Sequence, residues 1–307
     1  MFKNMKILSL ITKKSYFPEI YAYQKYFNSV GGIEFEIVYG DSVKELYSYD
    51  SDVYLMKMGF DPFYIGAKKD AIVIHDYTSC STGSFPQLKN FLKKKLNRTS
   101  DINIFLNEKV RKEYGFSNSN NNLIRDMGVD DEFYYNGEKK GEHECIYVGS
   151  ITNSRGVSMM IDGICKSNMK LSLVGSPCNE IYSSYKNNHN VKFLGRLNRE
   201  DTAREMKKSV FGVNVTPNIY PFYFQTSTKL LEYCAANLKI ITNDHSWSTS
   251  FMNKMNSRFY VTNNFEVDDV NKFGFSTPDV SSYNWNQVIS DSGILTTLNK
   301  VISVRGM

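Results

Sequence analysis

The sequence predicts an α/β protein made of two tandem, Rossmann-like, doubly wound domains. Three observations carry that expectation. Short β-branched runs alternate with helical patterns along the chain, a polar stretch interrupts the alternation near the middle, and 307 residues exceed one ordinary core.

In the first half MKILSLIT reads as a strand and FPEIYAYQKYFNSV as a helix. FEIVYG, DVYLMKM, AIVIHDY and INIFLN read as further strands, with SVKELYSY, QLKNFLKKKLNR and EKVRKEYG as helical segments between them and NNLIRDMG as a short closing element. Strands that are apolar throughout, rather than alternating, belong to a parallel sheet covered by helices on both faces.

YYNGEKKGEHE, residues 134–144, is rich in Gly, Glu and Lys and reads as the linker. The expected domains are therefore 1–138 and 139–307, with the last helix packing back on the first domain. The alternation resumes with the strands CIYVGSI, MKLSLVGSP, VKFLGRL, VFGVNV and LKIIT. Between them lie VSMMIDGICKS, a helical region near 180, REDTAREMKKS and TKLLEYCAAN.

Composition narrows the function. A hydrophobic share of 41% with 14% aromatics suffices for two cores and excludes disorder as the main state. Lys and Arg number 37 against 32 Asp and Glu, and a net charge of +5 is too mild for a nucleic-acid footprint, so no nucleic-acid partner is expected. Five cysteines, odd in number and without a CxxC pair, read as thiols of a reducing compartment. The apolar run of MFKNMKILSLITKKSYF is a strand rather than a signal peptide, and no stretch nears the roughly 20 apolar residues of a membrane span. The expected location is cytoplasmic, with peripheral contact to the inner face of the plasma membrane.

The motif order of the second half carries a resemblance. IRDMGVDDEFY places Gly128, Val129, Asp130 and Phe133 in a segment that closes the first domain. YVGSITNSRG opens the second, VKFLGRL precedes a helix, and TSTKLLEYCAANLKIIT forms a helix and strand. Together these resemble the GT-B fold glycosyltransferases, in particular the large retaining, nucleotide-sugar-dependent family of polysaccharide and lipopolysaccharide synthesis. The resemblance covers nearly the whole chain. It implies two domains facing each other across a cleft, a nucleotide diphosphate sugar on the second and a glycan acceptor, lipid-linked, against the first. Gly149, Ser150, Arg155, Arg196, Leu197, Gln225, Thr226, Ser227, Thr228, Lys229 and Glu232 would bind the donor.

The residue types suit that chemistry. Breaking the glycosidic bond of a nucleotide sugar loads negative charge onto the diphosphate, so cations and N–H donors must face it. Thr226, Ser227 and Thr228 stand where a helix begins, and a helix N-terminus with a hydroxyl cap is a phosphate site. Lys229 falls in the first turn, where the helix dipole disfavours a cation by a few tenths of a kcal/mol, which hints at an external anion. Glu232 lies one turn further on the same face, and by resemblance accepts from the ribose hydroxyls. The bland alternative is a solvent-exposed Lys229–Glu232 pair worth about 0.3 kcal/mol. Arg155 offers a fork suited to phosphate, or is an exposed loop arginine.

Two departures stand out. The family's Gly-Arg pair is Gly149-Ser150 here, and its glutamate eight residues before Glu232 is Phe224, within NIYPFYFQ. Gln225, Tyr220 and Tyr223 are candidate substitutes, unless the aromatic loop only packs on its own domain. These losses motivate a second reading, a non-catalytic nucleotide-sugar-binding subunit, and a third, a sugar-nucleotide epimerase.

His75 and Asp76 end AIVIHDY at the strand terminus where ligands bind, and either serve acceptor contact and proton transfer or merely order the turn. Asp50-Ser51-Asp52 has a metal-binding DxD form but starts a strand, and His143, His189 and His245 lack ligand spacing, so neither a metal nor another cofactor is expected. In QLKNFLKKKLNR, residues 87–98, Lys89, Lys93, Lys94, Lys95 and Arg98 surround Leu88, Phe91, Leu92 and Leu96. That helix either shows a solvated face or touches anionic lipid.

Overall fold

The apolar runs form parallel strands in the computed structural model, which describes residues 4–12, 16–41, 43–57, 70–97, 99–135, 137, 141 and 143–306. The chain divides into two compact units, Met1–Met127 with Trp285–Met307, and Gly128–Asn284. Residue 138, where the sequence places the end of the first domain, lies outside the described residues, as do 136, 139, 140 and 142 of the expected linker and Arg98 of the basic helix.

Along the first unit run β1 (Met5–Thr12), α1 (Pro18–Asn28), β2 (Ile33–Gly40), α2 (Val43–Leu46), β3 (Val53–Lys57), β4 (Ile72–Tyr77), α3 (Pro86–Leu96), β5 (Ile102–Phe105), α4 (Glu108–Glu113) and β6 (Asn122–Ile124). The strands make one parallel sheet in the order β2-β1-β3-β4-β5-β6. Every residue of β4 is buried, as expected of a strand covered on both faces. Helix α1 buries Ile20, Tyr23 and Phe27 on one face, and Phe27 stacks on Phe35 of β2 with ring centroids 5.9 Å apart.

Helix α3 departs from this pattern. Its only fully buried residue is Asn90, while Leu88, Phe91, Leu92 and Leu96 are exposed, together with the preceding Phe85. Its apolar residues do not serve the core of the unit.

The second unit comprises β7 (His143–Val148), α5 (Val157–Lys166), β8 (Leu171–Val174), α6 (Asn179–Tyr185), β9 (Val191–Gly195), α7 (Arg199–Lys208), β10 (Ser209–Asn214), α8 (Thr228–Ala235), β11 (Lys239–Thr242), α9 (Ser246–Met255) and β12 (Tyr260–Val261). Its parallel sheet has the order β12-β11-β10-β7-β8-β9. The strand order reverses between β7 and β10, and the crevice beyond their C-terminal ends is where open α/β sheets bind ligands. Val157, Met160, Ile161 and Ile164 of α5 pack into a core with Leu171, Leu173, Phe211, Val213 and Phe265. Gly212 lets α8 approach β10: a Cβ there would lie 2.7 Å from the Tyr233 ring.

Helices α10 (Trp285–Asp291) and α11 (Ile294–Arg305) belong to the first unit, where α10 packs on α1. Arg305 bonds the Asp70 carbonyl at 2.8 Å and pairs with Asp101.

Candidate functional site

The crevice at the β7/β10 reversal holds a cavity of about 350 Å3, within the range of small-molecule sites. Its floor is the end of β10, Val213 to Thr216, and one wall is the β7 end with Gly149, Ser150 and Arg155. The other wall is Gln225, Thr226, Ser227, Thr228 and Lys229. Eight of the sequence-expected donor residues thus converge in one place, all within the second unit.

Local hydrogen bonds hold the entry to α8. Ser227 is its N-cap, and the Ser227 hydroxyl also donates to Asn214 Oδ1 at 2.9 Å. Asn214 in turn donates to Thr242 Oγ1 at 3.0 Å, so the cap is fastened to the ends of two strands. Further along α8, the Tyr233 hydroxyl accepts the Val148 N–H at 2.8 Å, which fixes the helix to β7. Thr228 and Lys229 of the first turn line the cavity, and a helix N-terminus carries N–H groups without intrahelical partners and a positive dipole end.

Lys229 and Glu232 do form an ion pair, 2.6 Å from Nζ to Oε2, but not a solvent-exposed one. Glu232 is only 3% exposed, and its other oxygen accepts from Arg199 Nη1 at 2.7 Å. Arg199 also pairs with Asp130 and lies over the Phe133 ring, 4.4 Å from its centroid. Burial pushes the Glu232 pKa up, yet the two cations outweigh it and hold the carboxyl below its ordinary value. Arg199 is the converse: burial lowers it, and Glu232 and Asp130 raise it further than burial lowers it. Glu232 therefore sits behind the cavity wall, tied to the cation that lines it.

Arg196 and Leu197 lie in the turn after β9 and are not among the cavity residues. His75 and Asp76 stand at the end of β4 as expected, but both are buried, in the interior of the first unit. Asp76 Oδ2 accepts from Arg125 Nη2 at 2.7 Å and from the Tyr23 hydroxyl at 3.1 Å. The Arg125 guanidinium has no exposed surface and lies 5.5 Å from the Trp285 ring centroid. Strand β4 points these side chains into packing rather than solvent, so their geometry is that of an internal brace.

Phe224 is buried, and its ring meets those of Tyr220 and Tyr223 at 5.7 and 5.0 Å. The aromatic loop packs on itself, while Phe222 and Gln225 reach the cavity. Gln225 Nε2 is buried without a hydrogen-bond partner among the described residues. Three residues between β11 and the start of α9 hold the loop. Asn243 exchanges two hydrogen bonds with the Thr216 backbone at 3.0 and 2.8 Å, Ser246 N donates to Asn218 Oδ1 at 3.2 Å, and His245 Nε2 lies 3.0 Å from the Phe222 carbonyl. A carbonyl only accepts, so Nε2 carries the proton. Burial lowers the His245 pKa and favours the neutral ring.

Arg199, Asn214, Tyr233 and His245 are the functional candidates that sequence reasoning missed. Asn214 and Tyr233 had a visible signal, a polar residue closing an apolar strand and an aromatic one turn below Lys229. In the first unit Asp52 Oδ2 accepts the Lys6 N–H at 2.9 Å, so one acid of the DxD stretch ties the start of β3 to β1. Among the described residues no group of three or more His, Cys, Asp or Glu converges as a metal site, and no helix is long and apolar enough to cross a membrane.

No family model and no curated protein matches the sequence. Solved structures do match the fold. A glycosyltransferase involved in avilamycin A biosynthesis, AviGT4, aligns at TM-score 0.66 and 10% identity over 97% of this chain and 98% of its own. HepE of Anabaena, solved with UDP-glucose, aligns at TM-score 0.60 and 11% identity over 98% and 99%. The UDP-GlcNAc 2-epimerase of Methanocaldococcus jannaschii, solved with UDP-GlcNAc and UDP, aligns at TM-score 0.58 and 11% identity over 95% and 99%. At such identities the likeness is one of fold: two six-stranded parallel α/β units of the GT-B type.

Proposed function

We propose that this chain is a glycosyltransferase, moving a sugar from a nucleotide diphosphate sugar to a glycan acceptor of surface-polysaccharide synthesis, lipid-linked, with retention and without a metal ion. The observation that carries the reading is the cavity at the strand-order reversal, where a helix N-terminus, Lys229 and Arg155 converge on one small space.

In this reading the diphosphate lies against the first turn of α8, whose N–H groups and hydroxyls donate to it. Lys229 leaves Glu232 Oε2 for the diphosphate, which frees that oxygen to accept from the ribose hydroxyls. Arg155 takes the opposite side. As the bond from sugar C1 to the diphosphate oxygen breaks, its electron pair passes to that oxygen, where the two cations stabilise it. The acceptor hydroxyl bonds C1 on the face the diphosphate leaves, and its proton passes to the departing diphosphate oxygen. Gln225 Nε2 supplies a donor toward the sugar in place of the family's glutamate. The solved complexes with UDP-glucose and UDP-GlcNAc support a uridine nucleotide.

The exposed apolar and basic face of α3 supports an acceptor presented at an anionic membrane surface. A thermal-shift screen of nucleoside diphosphates and their sugars, followed by transfer from a labelled donor, tests the reading, since a ligand of the native state raises apparent stability. Binding with neither transfer nor slow donor hydrolysis would leave a non-catalytic binding subunit. An epimerase, favoured by the fold likeness to the archaeal enzyme, would convert the donor with no acceptor present.

A further inference from the structure

The loop from β4 to α3, residues 78–85, carries the hydroxyls of Thr78, Ser79, Ser81, Thr82 and Ser84 around Gly83. Against α3 it encloses an open cavity of about 580 Å3, lined by Ser79, Ser81, Thr82, Lys89, Leu92 and Lys93, with no carboxylate in its walls. The loop is fastened in place. Asn90, fully buried on α3, accepts the Ser81 N–H at 2.9 Å, the Tyr114 hydroxyl donates to the Ser79 carbonyl at 3.1 Å, and Lys89 Nζ donates to the Thr82 carbonyl at 3.1 Å.

Two lysines one turn apart on this wall repel each other. Burial lowers the Lys93 pKa and Lys89 lowers it further, against an opposing pull from Cys80. Among the described residues no carboxylate pairs with either ammonium group. An anion with several acceptor oxygens would satisfy both cations and the neighbouring hydroxyls, and a phosphate is such a group. The chemistry beside it is apolar: Leu92 is both a wall of the cavity and part of the exposed face that includes Phe85, Leu88, Phe91 and Leu96. Hydrophobic side chains left in water on a helix that buries little else mark a surface for an apolar ligand.

We propose that this cavity binds the phosphate or diphosphate of an apolar-chain phosphate ester. Lys89 and Lys93 supply the charge, Ser79, Ser81 and Thr82 the hydroxyl donors, and the exposed face of α3 takes the chain. The inference deepens the acceptor half of the function proposed above and rests on it for its role in transfer. Its test measures binding alone, so either can fail while the other stands.

Inorganic pyrophosphate is titrated into the full chain bearing Arg155→Ala/Lys229→Ala, which removes both cations of the second-unit cavity, and stability is followed by thermal melting. A saturable rise in melting temperature is expected, lost on adding Lys93→Gln or Lys89→Gln and kept with Lys93→Arg. No rise, or one indifferent to both glutamine variants, overturns the site. In the second arm, phosphatidylcholine vesicles doped with phosphatidic acid are compared with vesicles of equal surface charge doped with phosphatidylserine. Cosedimentation should favour phosphatidic acid by about tenfold, lost in Lys89→Gln/Lys93→Gln. Pyrophosphate binding without that preference would make the ligand a free phosphate and overturn the apolar-chain half.

Discussion

Arg199 Nη1 stands 2.7 Å from Glu232 Oε1, on a carboxylate that Lys229 grips from the other side. Removing one partner of a buried pair leaves the other charge undercompensated, whereas removing both charges is often tolerated. Arg199→Met should therefore cost about 3 kcal/mol, and Glu232→Gln in the same chain should recover part of it. Denaturant unfolding of the full chain reads both, and an unchanged midpoint in Arg199→Met would refute the brace.

Acidity tests the same cluster. The folded Glu232 carboxyl titrates below its unfolded value of 4.5, so the stability it contributes is complete above that value and is lost as pH falls through the lower folded one. Unfolding free energy should fall more steeply with acid in the native chain than in Glu232→Gln. Parallel curves below pH 4.5 would contradict the assignment.

Lys229→Ala removes one of the two cations, with Arg155, that line the cavity at the β7/β10 reversal. If it stabilises the departing diphosphate, turnover should drop about a hundredfold to a thousandfold while the circular dichroism spectrum is kept. A near-native rate would remove Lys229 from the chemistry.

His245 offers a second pH signature. Its folded pKa lies below 6.5, so its contribution is present above that value and lost as pH falls through the folded one, where the ring must charge in a buried place. Thermal stability should decline on acidification below pH 6.5, and His245→Gln, whose amide can still donate to the Phe222 carbonyl, should decline less. Equal declines would mean that another group titrates.

In the first unit Asp76 and Arg125 are both buried, so Arg125→Met strands a carboxylate in the core. The expected loss is about 3–5 kcal/mol, larger than for Asp76→Asn/Arg125→Met together. Urea unfolding of the two variants decides the order.

Much of the fold was legible because parallel strands covered on both faces need apolar residues at successive positions. AIVIHDY and INIFLN show that requirement directly, and β4 and β5 are buried throughout. The α8 end of the cavity was legible for a local reason too, since a cap hydroxyl and a first-turn lysine are neighbours in sequence. Arg199 was not, because the acids that give it meaning lie 33 and 69 residues away, and a long-range ion pair leaves no periodic trace. Nor was the burial of Asp76: strand position tells which end it occupies, but its distant partners Arg125 and Tyr23 decide whether it meets water. The exposure of α3 was hidden similarly, as an amphipathic pattern announces an apolar stripe without saying what covers it.

The Val129 N–H donates to the Tyr283 carbonyl at 2.8 Å, and Val129 bridges Asn284 in parallel. The chain thus enters and leaves the second unit through one doorway. Residues 128–284 are topologically an insertion into a host whose two remaining pieces, up to Met127 and from Trp285, belong to one unit. A cassette of this kind joins its host at a single place, so under the proposed function the donor half and the acceptor half would be exchangeable independently.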